Sequence, residues 1–299
     1  MRSRGLHVCV LISLAIAFGS ACDPPPEPGS TRTRFPVVLA EGLFGFDFFG
    51  IPDDLRAGGA MVFTTQVNPF STNEARAAEL LPQIQAILSQ TGAQKVNLIG
   101  HSQGGLDARV ILAMRPGILA SVTQFGSPNT GSAVADAGLL KDDFTLLNIA
   151  NTIGIVSNVP PSAAQFRIAL NQLSTPGMAA FNQRFPAGLP TSECGQGPPS
   201  VNGVALFSFG GVGVNTNPGD ISDLVLGGFL FGGFTLDFPA GTQNDGLVAR
   251  CATHFGTVIR DDLQANHTDL VNQLNGAIGA DRILLIYRAH LARLAAMGL

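Results

Sequence analysis

The chain has 299 residues, 45% of them hydrophobic and 13% charged, with a formal net charge of −4. That length suits one large domain or two small ones and supplies ample core. The only lysines are Lys95 and Lys141, so no basic stripe stands ready to neutralise phosphates, which excludes a nucleic-acid binder. With 36 glycines, 20 phenylalanines, no tryptophan and Tyr287 as the only tyrosine, the chain reads as a compact apolar globule.

The first element is an export signal, residues 1–21: basic Arg2 and Arg4, an apolar run from Val8 to Phe18 too short to span a bilayer, then Gly19, Ser20 and Ala21. The later run Leu224 to Phe234 is short and broken by glycines, so the mature protein is expected outside the cytoplasm. Cys9 leaves with the signal. Of the remaining cysteines, Cys194 and Cys251 can pair in an oxidising compartment, which leaves Cys22 as an odd thiol. The stretch "FGSAC" before "DPPPEPGS" resembles a bacterial lipoprotein signal, in which Cys22 is lipidated and residues 22–32 form a Pro-rich membrane tether. Ordinary cleavage after Ala21 is the alternative.

The rest, residues 33–299, reads as one domain. "FPVVLA" is a buried strand that enters a loop broken by Gly42 and Gly45. A helix follows with Leu80, Ile84 and Leu88 at helical spacing and Gly92 as its stop. Next come "KVNLIG" as strand, "GGLDARVILAM" as helix with Leu106, Val110 and Met114 four apart, and "ASVTQFGSP" as strand. Strand and helix alternate, which predicts an α/β fold with a mostly parallel sheet and helices on both faces. Residues 133–159 are apolar around most of a helix, with Leu140, Phe144 and Leu147 in one row and Leu146, Ile149, Ile153 and Val156 in another. Such a segment is either a buried helix or a mobile helical lid, bounded at about 133–165.

Gly100-His101-Ser102-Gln103-Gly104 lies between an apolar strand and an amphipathic helix. A short string of this kind arises readily by chance; its setting does not. A sharp strand-to-helix turn lifts a serine hydroxyl away from its neighbours, and the flanking glycines let strand and helix approach. The turn also sets the Gln103 N–H at a helix N-terminus, where it can face a developing negative charge. Ser102 is therefore expected to be a nucleophile. It needs a base. His101 is expected to point elsewhere and His290 to be structural in a long helix. His254 and His267 remain, and the loop position of His267 before a helix favours it. For the acid, Asp245 in "GTQNDGLVARC" precedes the histidine, although Asn-Asp-Gly serves equally well as a tight turn.

Seven segments in order, "FPVVLAEGLFGFD", "KVNLIGHSQGG", "GSPNTGSAVAD", "FNQRFPAGLPTSECGQG", "VNGVALFSFGG", "GTQNDGLVARC" and "NHTDLVNQL", resemble the secreted triacylglycerol lipases of Pseudomonas and Burkholderia, across Phe35 to Leu299. The resemblance implies an α/β-hydrolase fold and a triad of Ser102, Asp245 and His267. It also implies oxyanion donors at the N–H groups of Leu43 and Gln103, and a disulfide between Cys194 and Cys251. It further implies a structural calcium held by Asp220, Asp269 and the carbonyls of Gln273 and Ala277, and a dedicated folding chaperone. The chain departs from the family pattern at Glu41, where a histidine is usual, at Asn129, at Leu270, and in a long apolar stretch from Asp220 to Asp245. The function implied is hydrolysis of long-chain acylglycerols. A short-chain or polyester esterase on the same machinery, an acyltransferase, and an inactive membrane-tethered lipid binder are the rivals.

Overall fold

The computed structural model describes residues 30–45, 47–148, 151, 162–217, 219, 238, 241–273 and 282–299. The export signal, all but the last residues of the tether, Asp220, Ala277 and the lid residues 149, 150 and 152–161 lie outside the described residues.

Apolar runs become strands: β1 (Val37–Ala40), β2 (Val62–Thr65), β3 (Val96–His101), β4 (Leu119–Phe125), β5 (Ser200–Val201), β6 (Val204–Gly211) and β7 (Thr257–Leu263). Among the described residues they form one sheet in the order β2-β1-β3-β4-β6-β5, with β7 also paired to β6. Every pairing is parallel except β5 with β6. β1, β3, β4 and β6 are buried along their whole length, so both faces of the sheet must be covered. Val38, Leu98, Val122 and Leu206 pack on one side with helices α2 (Asn73–Thr91) and α3 (Gln103–Met114). Val37, Leu39 and Ile99 pack on the other with α1 (Ile51–Ala57) and the C-terminal α7 (Ile283–Ala296). This is the expected α/β-hydrolase architecture.

Local chemistry sets the helix ends. The Thr72 hydroxyl accepts the Ala75 N–H at the start of α2, and Gly92 ends it in a left-handed conformation with φ 68°. Leu80, Ile84 and Ile87 form its buried stripe. In α3 Leu106 and Val110 are buried, but Met114, expected in the same row, is the helix's last residue and is exposed.

Two expectations change. The expected tether ends too late: Thr31 is fully buried, its hydroxyl donates to Leu55 O at 2.5 Å and its N–H to Gly58 O at 2.9 Å, so residues 31 and 32 belong to the folded body. The segment at about 133–165, expected as a buried helix or a lid, is not one buried helix among the described residues. It includes α4 (Ala133–Leu139), helical residues 143–148 and α5 (Ala163–Leu173), followed by α6 (Thr175–Arg184). Within it Leu146 is buried, whereas Leu140 is 87% and Phe144 76% exposed, with Leu147 also exposed. Of the inward row only Leu146 lies among the described residues, and it is buried; Leu140, Phe144 and Leu147 of the other row face out as an apolar ridge.

Cys194 and Cys251 are joined, closing a sequence separation of 57 residues. The loss of chain entropy from the unfolded state stabilises the fold by about 4 kcal/mol.

Candidate active site

The site is assembled from loops at the carboxyl ends of the parallel strands, where such sheets gather their reactive groups. Ser102 follows β3 directly and begins α3 with φ 52° and ψ −122°, a conformation that costs energy for any residue but glycine. Its N–H donates to Phe125 O at 2.8 Å, which ties the turn to the end of β4. Space is made by glycine: a Cβ on Gly100 would fall on the backbone of Gly104 and Gly105, and one on Gly104 on the carbonyl oxygens of Ala40 and Glu41. The strand-to-helix turn expected around Ser102 is thus present.

Asp245 follows β6 in the chain and is fully buried. Its Oδ1 accepts the N–H groups of Leu247, at 3.0 Å, and Val248, at 2.7 Å, so the Asn-Asp-Gly turn is real and also aims the carboxylate. Oδ2 meets His267 Nδ1 at 2.8 Å, and the His267 N–H donates to the Asp245 carbonyl at 2.8 Å. A Cβ added to Gly126, at the end of β4, would lie 3.3 Å from both Asp245 Oδ2 and His267 Nδ1. Acid and base therefore stand beside the strand end that holds Ser102. His267 Nε2 has no partner among the described residues, which leaves it able to take a proton.

His254 shows why a His–Asp contact alone is not diagnostic. Its Nε2 meets Asp261 Oδ2 at 2.9 Å and its Nδ1 donates to Gly195 O at 2.9 Å, so both nitrogens are occupied beside the disulfide. His290 is buried, with Nε2 2.8 Å from Thr123 Oγ1, and burial first, then Arg293, pushes it down to about 3. It is a neutral core histidine, as expected. His101 bonds away from the serine hydroxyl, as expected. Its Nε2 donates to the His267 carbonyl at 2.9 Å and the two rings are 4.7 Å apart, so the residue beside the serine braces the base loop. Burial, reinforced by the neighbouring His267, holds it well below the ordinary histidine range.

Leu43 opens a short turn, Leu43–Gly45, after β1. A Cβ on Gly42 would lie 2.8 Å from Ser102 Cβ and 3.4 Å from Oγ, so the turn lies against the serine. Neither the Leu43 nor the Gln103 N–H has an acceptor among the described residues, and both adjoin Ser102. The side chain that joins their two segments is Arg76 of α2, which sequence reasoning missed. It is fully buried; Nε pairs with Asp107 Oδ2 of α3 at 2.8 Å, one terminal nitrogen donates to Glu41 O at 2.6 Å and the other to Asn68 O at 3.2 Å. A signal existed, since Arg76 precedes Leu80, Ile84 and Ile87 on the buried stripe of its helix. Asn129 is likewise buried, accepting from Arg109 Nη1 at 3.1 Å and donating to Gln124 Oε1 at 2.7 Å. Leu270 packs against the base loop's side of Gly126.

Asp269 and Gln273, two of the four expected calcium ligands, are buried in the turn just after His267. Asp269 Oδ2 accepts the Asn266 N–H at 2.7 Å and the Thr216 hydroxyl at 2.6 Å. A buried carboxylate suits a hard cation in its chemistry. The other two ligands lie outside the described residues, and no group of three or more His, Cys, Asp or Glu converges as a metal site among the described ones.

No family model matches the chain. Among curated proteins it is 38% identical to a triacylglycerol lipase of Vibrio cholerae, covering 97% of this chain and 96% of that protein. It is 37% identical to one from Pseudomonas fragi, covering 90% and 99%, and 34% identical to one from Burkholderia plantarii, covering 100% and 99%. Among solved structures the fold resembles a metagenomic carboxyl esterase, with a TM-score of 0.63 and 19% identity over 96% of this chain and 82% of that one. It also resembles a mature Bacillus licheniformis lipase, with a TM-score of 0.61 and 19% identity over 91% and 96%.

Proposed function

Because the chain belongs to the triacylglycerol lipase family, we propose that it hydrolyses long-chain acylglycerols through an acyl-enzyme on Ser102. The observation that carries this reading is His267, anchored through Nδ1 on buried Asp245 with Nε2 unengaged among the described residues. Ser102 Oγ attacks the ester carbonyl while His267 Nε2 takes its proton. The carbonyl oxygen becomes negative and is met by the N–H groups of Leu43 and Gln103, donors of a kind each worth about 3 kcal/mol of transition-state stabilisation. The imidazolium, steadied by Asp245, then protonates the departing glycerol oxygen as the C–O bond breaks. Water, deprotonated by the same histidine, attacks the acyl-enzyme, and the fatty acid leaves as Ser102 regains its proton.

The exposed Leu140, Phe144 and Leu147 support a long-chain substrate met at a lipid–water interface. Fatty-acid release from triolein and tributyrin emulsions tests this: hydrolysis of both is expected, and its loss in Ser102→Ala. Activity on tributyrin with none on triolein would make the protein a short-chain esterase. In the same reading the chain is exported behind residues 1–21, with Cys22 as the point of a membrane tether.

Calcium is proposed as a structural ion that clamps the loop of His267, with Asp220, Asp269 and the carbonyls of Gln273 and Ala277 as its ligands. It takes no part in the ester chemistry. Excess EDTA is expected to lower the melting temperature by roughly 5 to 10 °C if the site is normally near saturation. An unchanged melting temperature would dismiss the ion.

A further inference from the structure

Glu41 is the first residue after β1, two residues ahead of the Leu43 N–H, and only 5% of its surface reaches solvent. Its Oε1 accepts the Val67 N–H at 3.0 Å. Its other oxygen lies over the Leu43–Gly45 turn, where a Cβ on Gly45 would be 3.5 Å from Oε2. The adjacent cation is already committed elsewhere. Arg76 gives Nε to Asp107, and where it reaches Glu41 it contacts the main-chain carbonyl, not the carboxyl group.

One buried arginine therefore faces two buried carboxyl groups, and they cannot both be charged at low cost. Burial pushes Glu41 up to about 7, against the Val67 N–H and Arg76 and with the help of Asp47 in the following loop. Burial likewise pushes Asp107 up to about 7, opposed by Arg76 and reinforced by Glu41 and Glu74. The geometry decides between them: Asp107 has the ion pair at 2.8 Å and Glu41 has none through its carboxyl group. Asp107 takes the charge, and Glu41 keeps the proton.

We propose that Glu41 works as a neutral carboxylic acid packed against the oxyanion turn, and that losing its proton as pH rises weakens the oxyanion site. The inference rests on the serine-hydrolase reading, and Glu41 acts as a positioning residue because it touches no reacting atom. Neutral, it accepts the Val67 N–H and lies against the turn without adding charge. Ionised, it sets a negative charge in the turn whose Leu43 N–H must stabilise another, and its demand for water pulls it outward.

The test compares wild type with Glu41→Gln on a soluble p-nitrophenyl butyrate substrate from pH 5.5 to 9.5. Glutamine keeps the acceptor for Val67 and cannot ionise. Below about pH 6.5, under the raised carboxyl value, the two should agree within about twofold. Above pH 7 wild-type kcat should fall about tenfold relative to Glu41→Gln, with KM little changed. Profiles that run parallel at every pH would reduce Glu41 to a structural residue and overturn the proposal. So would an alkaline fall kept in full by the variant, which would assign it to Asp107.

A second measurement holds even if the variant is inactive. The unfolded carboxyl group ionises near its ordinary 4.5, and the folded one keeps its proton to about 7. Unfolding then releases a proton between these values, so wild-type stability declines as pH rises through that window. The melting temperature of Glu41→Gln should accordingly gain on wild type between pH 4.5 and pH 8. A difference that stays flat with pH would overturn the protonated state. Wild type inert toward every acyl ester would reject the hydrolase reading and leave this result standing.

Discussion

Changing Asp245 to asparagine is expected to lower kcat by about 10⁴-fold while the melting temperature stays within a few degrees of wild type. The asparagine oxygen can keep the N–H groups of Leu247 and Val248 that Oδ1 now accepts. Its NH₂ would then stand where Oδ2 meets His267 Nδ1 at 2.8 Å. A donor in that place forces Nδ1 to accept, and the ring proton moves to Nε2. The base would then present a proton to Ser102 in place of a lone pair, with the geometry intact and the tautomer wrong. Asp245 is fully buried, so no water can readily replace the lost charge opposite the imidazolium. Titrimetric ester hydrolysis gives kcat and thermal unfolding reports the fold. A variant within tenfold of wild type would remove Asp245 from the triad.

The nucleophile turn was the most legible part of the site, because its geometry is local: a strand, Gly100, Ser102, Gly104 and a helix adjoin in sequence. The parallel sheet was legible for the same reason, since β1, β3 and β4 are apolar runs separated by periodic helices. β2 was not, as its four residues, Val62 to Thr65, include two threonines and carry no long apolar run. The base was only weakly legible from its loop position and was fixed by the family resemblance. His254 and His267 both lie beside an aspartate in space, and what separates them is the occupied second nitrogen of His254, a tertiary fact. The bracing role of His101 was not legible because its partner, the His267 carbonyl, lies 166 residues away. Arg76 escaped notice as one charge in a helix, although its place on an apolar stripe marked it as buried and in need of partners.

That arginine gives the second large effect. Asp107→Ala is expected to destabilise the protein by about 3 to 5 kcal/mol in urea unfolding, because it strands a guanidinium with no exposed surface. Arg76→Met combined with Asp107→Leu removes both charges and fills similar volume, so stability should return to within about 2 kcal/mol of wild type. Activity should not return with it. In the double variant the carbonyls of Glu41 and Asn68 lose the donors that now reach them at 2.6 and 3.2 Å. The segment bearing the Leu43 N–H is then no longer tied to the helix that begins at Gln103. Two donors must converge on one developing charge, and a displacement of about 1 Å costs on the order of a hundredfold in rate. A double variant that is stable but about ten- to a hundredfold slower in kcat would show that the buried pair positions the oxyanion site. Full activity in the same variant would show that packing alone holds the two segments in register.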